Sequence, residues 1–174
     1  MKEAQQVANN DALSASLFKV NNLARENGWA EANRYNIRFN YSLVSQKSYP
    51  EMLVEELKLT ADEIKATSDA DLNALKMQFG LGAVASNLAE AFGGATPISS
   101  AKSVLNKYPE VQRYLHENSS FFKNDPAIKL VALVGAYQQL NELGLPDDAP
   151  VGYTIPRTVT FSYINTEKGW IKSQ

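Results

Sequence analysis

The sequence predicts an α+β fold, a helix-rich single domain over residues 1–174 with a small antiparallel sheet built from an N-terminal strand and a C-terminal hairpin. Three observations lead there. In "RYNIRFNYSLV", residues 34–44, Tyr35, Ile37, Phe39, Tyr41 and Leu43 alternate with Arg34, Asn36, Arg38, Asn40 and Ser42, the period of a strand with one apolar face. From Ser48 to Pro146 the chain carries helix caps, first-turn prolines and apolar residues at three- and four-residue spacing. Beyond Pro156 the period returns to two, and a turn follows.

Taken in order, Leu13, Leu17, Val20 and Ala24 stand at helical spacing, with Asn10 or Asp11 as cap and Gly28 as stop, and predict one amphipathic helix. The strand at 34–44 comes next. Read as a helix, its aromatic residues would spread around the circumference and into water; read as a strand they share one face. Ser48 and Glu51 have capping-box spacing with Pro50 in the first turn, and Thr60 and Glu63 repeat the spacing. Residues 49–66 are therefore two short helices or one bent helix. Leu72, Leu75, Phe79 and Ala83 form the next stripe, closed by Gly93 and Gly94. Pro97 and Pro109 open a helix pair, 97–107 and 109–118. Asp125 and Pro126 open, and Gly144 and Pro146 close, a helix apolar nearly all round from Ile128 to Leu140, the expected central buried helix.

In the tail, Val159, Phe161 and Tyr163 alternate with Thr158, Thr160 and Ser162, and "NTEKG" supplies a turn before Trp170 and Ile171. This predicts a hairpin at about 157–172, with Pro156 separating a shorter strand at 152–155 and marking an edge or bend. A lone strand leaves backbone groups unpaired, so 34–44 is expected to pair with 157–164.

Composition excludes several classes of function. With 17 basic against 19 acidic residues, the formal charge of −2 creates no net field toward nucleic acid or anionic lipid. Absence of cysteine removes disulfides, thiolate nucleophiles and cysteinyl metal sites. No apolar run nears the roughly 20 residues of a membrane helix, and "MKEAQQVANN" has no signal-peptide core. The expectation is a soluble protein, cytoplasmic unless a signal sequence has been removed, with no membrane insertion.

Motif fragments fail in context. "GLGAVA" at 80–85 has dinucleotide-binding spacing, yet no strand precedes it, and Gly80, Ala83 and Ser86 read as small residues for close helix packing. "DADLN" at 69–73 begins like a calcium loop but has Ala74 and Gly80 where glycine and a carboxylate are needed. His116, the single histidine, sits near a helix end, and no nucleophile elbow is present. Acids gather at 51–71, where Glu51 and Glu55 lie one turn apart and Glu56 and Glu63 nearly two; such spacing suits paired carboxylates, although solvated helix faces explain it more simply. Arg34 and Arg38 alternate with aromatic residues, but on a strand the two sets face opposite ways, which argues against nucleic acid.

No catalytic, cofactor or metal residues are assigned, and an enzyme is the lesser expectation. The leading reading is a non-enzymatic protein-interaction module, a subunit of a larger assembly of the secretion, conjugation or virion type, whose partners are other protein subunits in a homo- or hetero-oligomer. Its binding residues are expected on the polar sheet face: Arg38, Asn40, Thr158, Thr160 and Ser162. The alternative is a small-ligand-binding or catalytic domain with an apolar pocket between sheet and helices, lined by Tyr35, Phe39, Tyr41, Phe161 and Tyr163.

Overall fold

The alternating stretch forms the long middle strand of an antiparallel sheet. The computed structural model describes residues 1–11, 17–94 and 96–173. The chain divides into two compact units, Met1–Lys47 with Pro150–Gln174, and Ser48–Ala149. The first contains helix α1 (Lys2–Asp11) and strands β1 (Phe18–Arg25), β2 (Trp29–Glu31), β3 (Arg34–Ser45), β4 (Thr154–Thr166) and β5 (Gly169–Lys172), in the order β1-β3-β4-β5 with β2 also on β3. The predicted pairing is realised: β3 and β4 run antiparallel with Phe39 opposite Val159, Arg38 opposite Thr160 and Asn40 opposite Thr158. β4 continues through Pro156 rather than stopping there. β5 covers only Tyr163–Thr166, so Pro156 lies where β4 is an outer strand and can lack an N–H without breaking a second ladder.

The helix expected over Leu13, Leu17, Val20 and Ala24 is corrected. Leu13 lies outside the described residues, and Phe18–Arg25 is strand β1, paired with β3 from Phe18 opposite Ser45 to Arg25 opposite Phe39. The same stretch also carries a strand pattern, since Phe18 and Val20 alternate with Lys19 and Asn21. The free edge of a twelve-residue β3 supplies the backbone partners that decide between the two. The register shifts between Asn21 and Ala24. There Asn22 takes φ 56°, which asparagine tolerates better than most residues. Gly28 is not a helix stop: a Cβ there would overlap the Tyr35 phenol. Instead "KEAQQVANND" forms α1. Its Ala4 and Ala8, one turn apart, are fully buried, and Ala4 packs with Phe39 and Phe161 on the apolar sheet face.

Among the described residues the second unit is built from five helices. α2 (Tyr49–Ala66) is one continuous helix. The Glu51 carboxylate accepts from the Ser48 N–H at 2.8 Å, whereas Thr60 starts no new helix and its hydroxyl donates back to the Glu56 carbonyl at 2.9 Å. α3 (Asp69–Ala91) is capped by Ser68, whose hydroxyl accepts from the Asp71 N–H. α4 (Pro97–Lys107) and α5 (Pro109–Glu117) split at Pro109 as expected. α6 (Pro126–Glu142) begins at Asp125, whose carboxylate accepts from the Ala127 N–H at 2.8 Å. Ile128, Ala132, Leu133, Ala136 and Leu140 of α6 are buried, and α6 packs on α2, α3 and α4. It is the central helix that an all-round apolar sequence calls for.

Candidate functional site

Register and the two-residue period bring Arg38, Asn40, Thr158, Thr160 and Ser162 onto one face of the sheet. Much of their hydrogen-bonding capacity is directed within that face. Thr158 donates to Asn40 Oδ1 at 2.9 Å, and Ser162 donates to Asn36 Oδ1 at 2.6 Å. Asn40 in turn donates to Glu26. Arg38 lies 3.6 Å from Glu26 and stands over the Trp29 ring at 5.0 Å. Both members of the Arg38–Glu26 pair are nearly half exposed, so its net worth is small. Asn36, on the same polar face, is buried, in register with Trp29 on one side and Ser162 on the other.

On the opposite, aromatic face the five residues proposed to line a pocket fall into two groups. Phe39 and Phe161 pack edge to face with centroids 5.8 Å apart and are buried with Tyr41. Tyr35 and Tyr163 line a groove with Ile37 and Trp170, where Trp170 meets Tyr35 edge-on at 6.3 Å.

Residue type alone does not single out two features of the helical unit. The first is the outer face of α3. Of the stripe Leu72, Leu75, Phe79 and Ala83, Leu72 is buried, Phe79 and Ala83 are half-buried and Leu75 is 46% exposed, whereas Met77, Leu81, Val84, Leu88 and the following Phe92 are 73%, 75%, 61%, 61% and 91% exposed. No charged residue occurs between Lys76 and Glu90. Of the small residues read as packing residues, Gly80 makes no close packing among the described residues, since a Cβ there meets nothing within 4 Å, Ala83 is half-buried, and the Ser86 side chain lies outside the described residues. The spacing of 77, 81, 84 and 88 is legible in the sequence as a second stripe, opposite the first.

The second is a cleft of about 430 Å³ between α2, α3 and α6. Glu56 and Glu63, noted for their spacing, both line it, with Lys76, Leu72, Ile128 and Gly135. Glu56 is only 8% exposed; burial, and then the nearby Glu63, push its carboxyl above the ordinary value. Lys76 is held 2.5 Å from Asp125. Its hydrogen bond and that of the Ala127 N–H draw the Asp125 carboxyl below the usual range, as the Lys123 hydrogen bond does for Asp69.

Elsewhere in this unit, Tyr49 Oη is buried with no hydrogen-bond partner among the described residues. Burial, then Asp147, push its phenol well above the ordinary value. His116 is exposed in the last turn of α5. Among the described residues no group of three or more His, Asp or Glu stands placed to hold a metal, and no helix is long and apolar enough to cross a membrane.

Comparison with protein-family models, with curated proteins and with solved structures finds no match for this chain. Its function is therefore read from its own geometry.

Proposed function

We propose that this chain is a non-enzymatic protein-interaction module, a subunit of a larger assembly, whose α3 docks against the same helix of a second copy. The observation that carries this reading is the outer face of α3, where four large apolar side chains of a 23-residue helix, and Phe92 just after its end, stand mostly in water. Isolated exposed apolar residues are ordinary; a contiguous stripe is an interaction surface.

Three properties favour a second copy as the occupant. The stripe follows four- and three-residue steps, the seam along which two helices pair, and small residues Ala74, Gly80, Ala85 and Ala91 flank its large ones. The same helix thus supplies both knobs and spaces. No charge between Lys76 and Glu90 opposes like meeting like. At roughly 100–150 Å² for each of the five side chains, two copies bury about 1,000 Å² or more, which reaches the lower size of specific interfaces. The polar sheet face with Arg38, Asn40, Thr158, Thr160 and Ser162 adds a second surface for other subunits of the assembly.

The chain has no cysteine, so a single introduced thiol reports the contact. Under mild oxidation Val84→Cys should form a disulfide-linked dimer much faster than Lys168→Cys in the β4–β5 turn. Equal, slow crosslinking of both variants would refute the α3 contact.

A further inference from the structure

The cleft between α2, α3 and α6 lies on the other side of α3 from the stripe, so a ligand there is independent of self-association. Three facts set it apart from an ordinary surface hollow. Its wall holds Glu56, a residue only 8% exposed, whose carboxylate has no hydrogen-bond or ion-pair partner among the described residues. A buried carboxylate without a partner is costly, and a fold retains one where something complements it.

Gly135 stands in the interior of α6, where alanine would suit the helix better. A Cβ there would meet nothing within 4 Å, so the missing side chain leaves the cleft open. Its apolar walls come from Leu72 of α3 and Ile64 and Ile128 of α2 and α6, with Thr60 and Thr67 among the polar groups beside them, while Leu59 and Leu75 at its margin are about half exposed. A concave, mainly apolar site with a few converging polar groups is the form small-molecule sites take.

The charges decide the class of ligand. α2 contributes Glu56 and Glu63; α3 contributes Lys76, already engaged 2.5 Å from Asp125; α6 contributes only neutral groups, including Gln139. An anion would meet two carboxylates and a lysine that is already paired. A cation neutralises the buried carboxylate. We propose that this cleft binds a small organic cation, with its ammonium group beside Glu56 and its hydrocarbon body along Leu72, Ile128 and the open side of Gly135. With no bond made or broken, the interaction is a charge-assisted hydrogen bond from N–H to the Glu56 oxygens, plus apolar burial.

The test uses n-octylammonium, octanoate and 1-octanol as probes of equal chain length, titrated calorimetrically into the full chain. Octylammonium should saturate one site per chain and bind at least about tenfold more tightly than octanoate or octanol. Glu56→Gln should weaken it by a similar factor. Gly135→Ala should raise the melting temperature, by helix propensity, while lowering affinity for the probe. That opposite pair of signs is not expected from a merely structural glycine. Gly135→Leu should abolish binding. Absence of saturable octylammonium binding, equal binding of octanoate or octanol, or affinity unchanged in Glu56→Gln or in Gly135→Ala would each overturn the proposal.

Discussion

Replacing Leu133 and Leu81 by alanine removes the same atoms from two helices of one unit, with opposite consequences. Leu133 is 1% exposed on α6, among Ala132, Val134 and Ala136 and within the helix that packs on α2, α3 and α4. Its truncation loses the transfer free energy of the side chain and leaves a cavity, together about 3 kcal/mol. With a urea m-value of about 2 kcal/mol per M, the midpoint falls by roughly 1.5 M. Leu81 is three-quarters exposed, so Leu81→Ala should change stability by less than about 0.5 kcal/mol, and His116→Ala should behave likewise. Unfolding followed by circular dichroism at low protein concentration keeps self-association from contributing. Comparable midpoint shifts for Leu133→Ala and Leu81→Ala would mean that α6 is not the core or that the α3 stripe is not exposed, and either result would refute the packing described above.

Three polar groups at buried or half-buried positions differ in what their removal should do. Tyr49→Phe removes a hydroxyl that is buried without a partner among the described residues and should stabilise the fold by about 1 kcal/mol; a loss of stability in urea unfolding would reveal a hydrogen bond the side chain does make. Ser162→Ala takes from the buried Asn36 the donor at 2.6 Å and should cost about 1–2 kcal/mol, whereas a neutral result would show that Asn36 reaches another donor. Glu56 has its folded-state pKa raised by burial and Glu63. Its contribution to stability is therefore fully present below the ordinary carboxyl range and is lost as pH rises through that range toward the folded value. Glu56→Gln should gain on the parent between pH 4 and pH 7.5 in paired unfolding curves; an identical difference at both pH values would contradict the assignment.

What the sequence made legible was set by local chemistry. The β3–β4 ladder followed from two unmistakable period-two runs that had to satisfy each other's backbone, and α4, α5 and α6 followed from Pro97, Pro109 and the Asp125–Pro126 start. β1 is hidden because Leu17, Val20 and Ala24 stand at helical spacing while Phe18 and Val20 alternate with Lys19 and Asn21 as in a strand, and only the free edge of β3 decides between them. The five polar residues of the sheet face come together because period and register are enough to place them. Their internal pairing with Asn36 and Glu26 depends on side-chain reach across strands, which spacing does not reveal.

The helical unit divides the same way. The stripe at 72, 75, 79 and 83 is visible in the sequence and makes the small residues of "GLGAVA" look like packing positions, whereas the complementary stripe at 77, 81, 84 and 88 faces water. The spacing of Glu56 and Glu63 was equally visible. That one of the two is buried and the other exposed depends on where α3 and α6 lie across α2, which no pattern within residues 51–71 encodes.

Sedimentation equilibrium over a wide concentration range reads the pairing of α3 helices without any label. The parent chain should rise from the 19.2 kDa monomer toward twice that mass, and Leu81→Glu, which sets a carboxylate in the middle of the α3 stripe, should stay monomeric with its helical signal intact. A parent that remains monomeric throughout, or a Leu81→Glu variant that associates as the parent does, would rule out α3 as the docking surface for a second copy.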